Sequence, residues 1–264
     1  MLSGHNYYSG MTQVQAGALA VSHGNALGMA PGLGSCSGSS CGTEVALNAA
    51  LEITGDIALD EEISLDGGKL LNGSGSNSLS QTVSLWRSSE IAATGGVLTL
   101  QPSVSTAPAV RKLSSGSLKL LLSGRGTLVF AGPIDLPTTP GVAGSYESIA
   151  QLDTGLAEFR AALGVSALSA TGGGTLWLNR TPASTGLFVP DVSPVISLAG
   201  RSLIRLDSSE NVGTNASVVL GSGGGGIFVG PAATLTYSGS ISGPGGLRKT
   251  GPGTFVLSSP AASI

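Results

Sequence analysis

The chain reads as an all-β solenoid, a parallel β-helix, on three observations. Glycine supplies 42 of the 264 residues. A Gly-x-Gly-Thr-apolar-x-apolar unit recurs along the chain. Many short strand-like runs follow one another with almost no helical period between them. The unit stands at Gly124-Arg-Gly126-Thr-Leu-Val-Phe130, at Gly172-Gly-Gly174-Thr-Leu-Trp-Leu178 and at Gly251-Pro-Gly253-Thr-Phe-Val-Leu257, with a degenerate copy at Gly95-Gly-Val97-Leu-Thr-Leu100. Glycine reaches positive φ without a Cβ clash, so each unit is a sharp corner feeding a short strand. The intervals are unequal, which places insertions between constant corners.

In chain order the strand candidates are Val45–Leu47, Ala50–Ile53, Ile63–Leu65, Val83–Leu85, Leu118–Leu122, Val195–Leu198, Leu203–Leu206, Val218–Leu220, Ile227–Val229 and Leu235–Tyr237. Most are four or five residues of alternating apolar character bounded by Gly, Asn, Asp or Ser. Val14, Leu19, Leu65, Leu128, Leu176, Phe228 and Phe255 are the expected inward positions. One stretch breaks the pattern. Ile149, Leu152, Leu156, Phe159 and Leu163 recur every three or four residues, which predicts a helix over 148–163. Ser148 and Gln151 have capping-box spacing and Gly164 is a stop signal. The expected organisation is therefore rungs over 1–131, a loop-plus-helix insertion over 132–170, and rungs again over 171–264.

Composition removes several function classes. Charged residues are 10% of the chain, against about 25% in an ordinary soluble protein. Hydrophobic residues are 41%, enough for a core and too many for a disordered chain. The net charge of −3 comes without a basic patch, so nucleic-acid binding lacks its electrostatic footprint. No apolar run approaches the ~18 residues of a spanning helix, and the N-terminus lacks the basic start and apolar stretch of a signal peptide.

Candidate chemistry is sparse. Cys36 and Cys41, the only cysteines, sit in a Ser/Gly-rich stretch whose length allows a local disulfide, favoured here over a pair of reduced thiols. Two cysteines do not make a structural zinc site, and neither His5 nor His23 is placed to complete one. Asp56, Asp60, Glu61, Glu62 and Asp66 form the densest charge. Solvated turns are the plainest reading of this polar patch; Ca²⁺ coordination and a carbohydrate-facing groove are the functional alternatives. Three catalytic or phosphate motifs dissolve on inspection. Gly38-Ser-Ser40-Cys-Gly42 has the nucleophile-elbow spacing but no histidine after it. Asp153-Thr-Gly155 is a single copy of a triplet that needs a second carboxylate. Gly221–Gly226 has no helix after it to hold a phosphate. No catalytic, cofactor or metal residue is expected.

The ends carry the most specific signal. Ile241-Ser-Gly-Pro-Gly-Gly-Leu-Arg-Lys-Thr-Gly-Pro-Gly-Thr-Phe-Val-Leu-Ser258, read on into Leu2-Ser-Gly-His-Asn-Tyr-Tyr-Ser-Gly-Met-Thr-Gln-Val-Gln-Ala-Gly-Ala-Leu-Ala-Val21, resembles the autotransporter-associated β-strand repeat. That unit runs I-S-G-x-G-G-L-x-K-x-G-x-G-T-L-x-L-S-G-x-N-x-Y-x-G-x-T-x-V-x-A-G-x-L. The match covers 2–28 and 227–258 well and 51–100 loosely; from 102 to 215 only the corners remain. After Ser258, Ser-Pro-Ala-Ala replaces the expected Gly-x-Asn-x-Tyr. The resemblance implies a right-handed β-helical passenger, displayed at the cell surface or released after export through a bacterial outer membrane. It further implies a C-terminal β-barrel translocator in the parent protein, a surface or carbohydrate ligand as partner, no cofactor, and often adhesion. At roughly 20–25 residues per rung, about 10 rungs stacked at ~4.8 Å would make a rod on the order of 50 Å long. The chain starts in the repeat's second half and stops near the end of its first, so a segment of a longer array is expected. Its uncapped ends would self-associate or fray. A polysaccharide-cleaving β-helix, with Asp56, Asp60 and Glu62 lining a groove, is the alternative.

Overall fold

The computed structural model describes residues 1–28, 42–137, 148–179, 194–208, 210–212 and 216–258. Every strand pair is parallel, in sheets of ten, nine, seven and three strands, and the described residues contain no helix. This is the stacked-strand arrangement of a parallel β-helix. One coil runs Ile63–Leu65, Lys69–Asn72, Ser76–Leu79, and the next Val83–Leu85, Ser89–Ala93, Val97–Leu100. Their three segments join the seven-, ten- and nine-stranded sheets in turn, with Ile63 opposite Val83, Leu70 opposite Ile91 and Leu79 opposite Leu100. The seven-stranded sheet ends at Leu163–Gly164. The three-stranded sheet, Glu210–Val212, Thr234–Tyr237 and Thr254–Leu257, then takes its place in chain order.

Period-two alternation explains the interior. In Lys69–Asn72, Leu70 and Asn72 are buried while Lys69 is exposed. Because the strands stack in register, inward side chains line up in columns such as Leu98, Leu128, Ala157, Leu176, Ile204 and Ile227. In a neighbouring column the rings of Phe130 and Phe159 stack with centroids 5.4 Å apart. Val14, Leu65, Leu128 and Leu176 are buried as expected, and Leu19 and Phe255 pack partly covered against the core. Phe228 points outward instead. Ile227 and Val229 take the inward places, because Gly225 and Gly226 belong to the strand and set its phase.

The corner between the ten- and nine-stranded sheets is the constant feature. At Gly124, with φ of 97°, a Cβ would collide with the Ala93 carbonyl, and at Gly155 with the Gly124 carbonyl. Stacked glycines thus let successive corners close backbone to backbone.

The helix expected over 148–163 is absent. Ile149–Leu152 and Leu156–Phe159 are strands of the ten- and nine-stranded sheets, and Leu163–Gly164 closes the seven-stranded one. The segment is therefore rung material and not an insertion. Asp153-Thr-Gly155 forms the corner, where the Thr154 hydroxyl donates to the Gly124 carbonyl at 3.2 Å. A corner resets the two-residue phase, so large residues on both sides of it fall three or four apart and imitate a helix. The small inward residues Ala150 and Ala157 carried the true period and were outweighed by their bulky neighbours.

The two ends differ. Leu2 adds an edge bridge beyond Ala18–Val21: its N–H donates to Ala20 at 2.7 Å and its carbonyl accepts from Ser22 at 3.0 Å. At the other end Lys249 stands opposite Ile227, the last place of an inward column. Its ammonium donates to the carbonyls of Gly251, at 2.6 Å, and Gly253.

Candidate ligand-binding face

The acidic residues do not converge. Asp56 Oδ1 accepts from the Ser76 N–H at 2.6 Å. Asp60 Oδ1 accepts from Ser80 Oγ and Gln81 Nε2, both at 2.6 Å. Glu62 Oε1 accepts from Arg111 Nη2 at 2.7 Å, while Arg111 Nε donates to Ser84 Oγ at 3.0 Å. Asp66 pairs with Arg87 at 3.1 Å. Each carboxylate bonds to a later rung, so the group works as a set of staples along the rod. Glu61 is set apart from this surface: it is 5% exposed, and Thr43 Oγ1 donates to its Oε1 at 2.8 Å. Burial pushes its carboxyl up to about 7; the Thr43 bond opposes this and the charges of Asp60 and Glu62 add to it. Among the described residues no group of three or more His, Cys, Asp or Glu is arranged to hold a metal ion. Cys36, Cys41 and all but the last residue of the Gly38–Gly42 motif lie outside the described residues.

A denser constellation lies on the outer face of the nine-stranded sheet. Register places Glu158, Trp177, Arg205 and Phe228 in one row on successive strands. Alternation puts them there: in Thr175–Leu178, Leu176 and Leu178 are the buried pair. Trp177, Arg205 and Phe228 are partly exposed, while Glu158, covered by its partners, is 3% exposed. The Arg205 guanidinium sits over the Trp177 ring, 4.4 Å from its centroid, and 5.5 Å from that of Phe228. This is cation–π geometry on both sides of one cation. Glu158, Trp177 and Arg205 each have a polar companion two places on; Phe228 has Gly230. Arg160 donates to both oxygens of Glu158, at 2.7 and 3.2 Å, and Asn179 Nδ2 donates to Glu158 Oε1 at 2.6 Å. Arg205 Nε donates to Asp207 Oδ2 at 2.8 Å. Hydrogen bonding to Glu158 raises the Arg160 pKa above its ordinary value. The Trp177 indole N–H is covered and meets no acceptor among the described residues. Buried donors are nearly always paired, so this one needs an explanation.

Sequence reasoning missed this face because its members are 19 to 28 residues apart, with Glu158 opposite Trp177 and Trp177 opposite Arg205. The available signal was the out-pointing Trp177 within the recurring corner unit. No protein-family model, no curated protein and no solved structure matches the chain.

Proposed function

We propose that this chain is a non-enzymatic scaffold: a passenger segment of autotransporter kind, displayed at the cell surface or released, that spaces and supports what it carries and adheres through its sides. One observation carries the reading. Asp56, Asp60, Glu62 and Asp66 are each bonded to a partner on a later rung, so they serve as staples and are not presented as the paired groups that catalysis needs. The repeated features of the sequence are likewise backbone devices, glycine corners and strand-forming residues, which carry shape. The winding is taken as right-handed, the hand of about 98% of parallel crossovers and of the repeat that the chain resembles. Export through a C-terminal β-barrel in the parent protein belongs to the same proposal.

The test is to incubate the protein with a panel of polysaccharides, with and without calcium, and to measure new reducing ends and unsaturated sugars. No turnover is expected. Turnover abolished by Asp60→Asn would overthrow the scaffold reading in favour of a polysaccharide-cleaving β-helix. Sedimentation of the isolated chain tests the expected end-to-end association; a strictly monomeric species at high concentration would contradict that part.

A further inference from the structure

We infer that the row Trp177–Arg205–Phe228, with Arg160, Asn179 and Asp207 beside it and the buried Glu158 holding Arg160 and Asn179 from below, is a binding surface for a neutral polysaccharide chain lying along the rod. This goes beyond the scaffold role and places the ligand on later rungs than the acidic residues, of which Asp60 directly follows the first strand of the same sheet.

Charge comes first. Arg160 is paired with Glu158, and Arg205 with Asp207. Within the row the charges therefore cancel, and the exposed Arg248 on the next strand adds a single positive charge at its end. The row's hydrogen-bonding capacity is nevertheless only partly used. The side chains of Arg160 and Arg205 are 47% and 41% exposed and that of Asp207 is 26% exposed, whereas Glu158 is covered at 4%. A guanidinium has five N–H donors and a carboxylate about four acceptor sites, so donors on Arg160 and Arg205 and acceptor sites on Asp207 remain for a partner. A partner that both donates and accepts at short intervals, without charge, is a chain of sugar hydroxyls.

Shape is the second point. Neighbouring strands are ~4.8 Å apart, so the row is a straight series of planar groups at a regular pitch. Cation–π stacking fixes Trp177, Arg205 and Phe228 against one another and leaves their rims facing out. Side chains held before binding lose little entropy on contact, and that is the main source of affinity on an open surface. Beside Phe228 lies Gly226, where a Cβ would press on Leu203; the ring itself is partly exposed. The third point is the Trp177 N–H, a covered donor that meets no acceptor among the described residues. A hydroxyl seated against the indole would give it one.

Trp86 and Trp177 are the only tryptophans, so Trp86→Phe makes Trp177 the sole fluorophore. The Trp86→Phe protein would be titrated with soluble xylan, galactomannan, hydroxyethyl cellulose and dextran, with polygalacturonate and heparin as the anionic arm. Affinity electrophoresis of the unmodified chain would run in parallel. At least one neutral polysaccharide is expected to change Trp177 emission and retard migration. Phe228→Ala and Arg205→Ala should each weaken that binding at least about tenfold, with circular dichroism unchanged; Asp60→Asn should leave it intact. The proposal is overturned if no neutral polysaccharide binds, if both outward variants bind as tightly as the parent, or if only the anionic polymers bind and salt abolishes it. Those outcomes leave the scaffold reading standing, whereas turnover would remove the scaffold reading alone.

Discussion

The rungs spanning Ile63 to Leu100 and those spanning Val195 to Leu257 share one stacking scheme but close their cores to different degrees. In the first set Ile63, Leu65, Leu70, Val83, Leu85, Ile91 and Leu98 are 0% exposed. In the second, Ile196, Val218 and Ile227 are 3% exposed, Leu220 and Leu235 4%, and Ile204 5%. An apolar cavity of about 30 Å³ lies among Ile196, Ile204, Val218, Ile227, Tyr237 and Phe255. The first set also holds a buried polar seal. Asn77 Nδ2 donates to Asn72 Oδ1 at 2.6 Å and to the Ser74 carbonyl at 2.8 Å, and Asn77 Oδ1 accepts from the Ile57 N–H at 2.8 Å. The second set ends in Lys249 and a largely exposed last strand. Register alone therefore does not finish a core: a column also needs side chains of the right volume and something to stop it at the end.

Truncation tests the comparison most strongly. Ile91→Ala should cost about 3–5 kcal/mol, because its walls are fully packed, and Ile227→Ala nearer ~2 kcal/mol, because the lining already borders empty space. Urea denaturation of both variants would measure this, and equal losses would erase the distinction.

The next effect is pH-dependent and arises at Glu61, just ahead of the first set. Folded Glu61 holds its proton up to about pH 7 against an ordinary value of 4.5, so the native state binds more protons than the unfolded chain across that window. Stability should then fall as pH rises from about 4.5 to about 7, by on the order of 2 kcal/mol. Glu61→Gln should flatten that slope. Melting temperatures of parent and variant, taken at steps through the window, read it directly; parallel curves would show that Glu61 is not the group responsible.

The smallest effect has opposite signs in the two regions. Val218→Ile adds a methylene beside the cavity and should gain ~0.5–1 kcal/mol. Val83→Ile, in the filled region, should lose about 1 kcal/mol by overpacking. Matching shifts in thermal melts would mean that the cavity is not the controlling difference.

How much of this the sequence reveals depends on whether a feature is local. Ala50–Ile53, Ile63–Leu65, Val83–Leu85 and Val195–Leu198 are strands with the boundaries expected. A polar residue or proline marks at least one end, Thr54, Glu62 and Asp66, Thr82 and Pro194 respectively, and alternation fills the middle. The stretch 148–163 was misread because its corner at Asp153–Gly155 shifts the phase within a single helical window. The acidic residues were conspicuous by proximity in the chain, yet their partners lie on later rungs, so their role as staples could not be read off spacing. The Trp177 row was hidden for the same reason. It exists only once the unequal rung lengths are known, and those are fixed by three-dimensional register.

The glycine corners have one more consequence. Between the ten- and nine-stranded sheets the turn stays at three or four residues: three at Gly73–Gly75, Thr94–Gly96, Gly124–Gly126 and Asp153–Gly155, and four at 54–57, 171–174 and 221–224. Extra length enters elsewhere, as in 101–109 between Leu100 and Val110. The rod thus has a fixed spine and a permissive rim. A foreign peptide grafted into 101–109 should enlarge one coil and leave its neighbours in step. A single residue inserted between Gly124 and Gly126 would only lengthen that corner to the four residues found at 171–174 and 221–224, whereas a side chain placed at Gly124 itself would drive a Cβ into the Ala93 carbonyl. The rim is where added sequence disturbs the stacked core least.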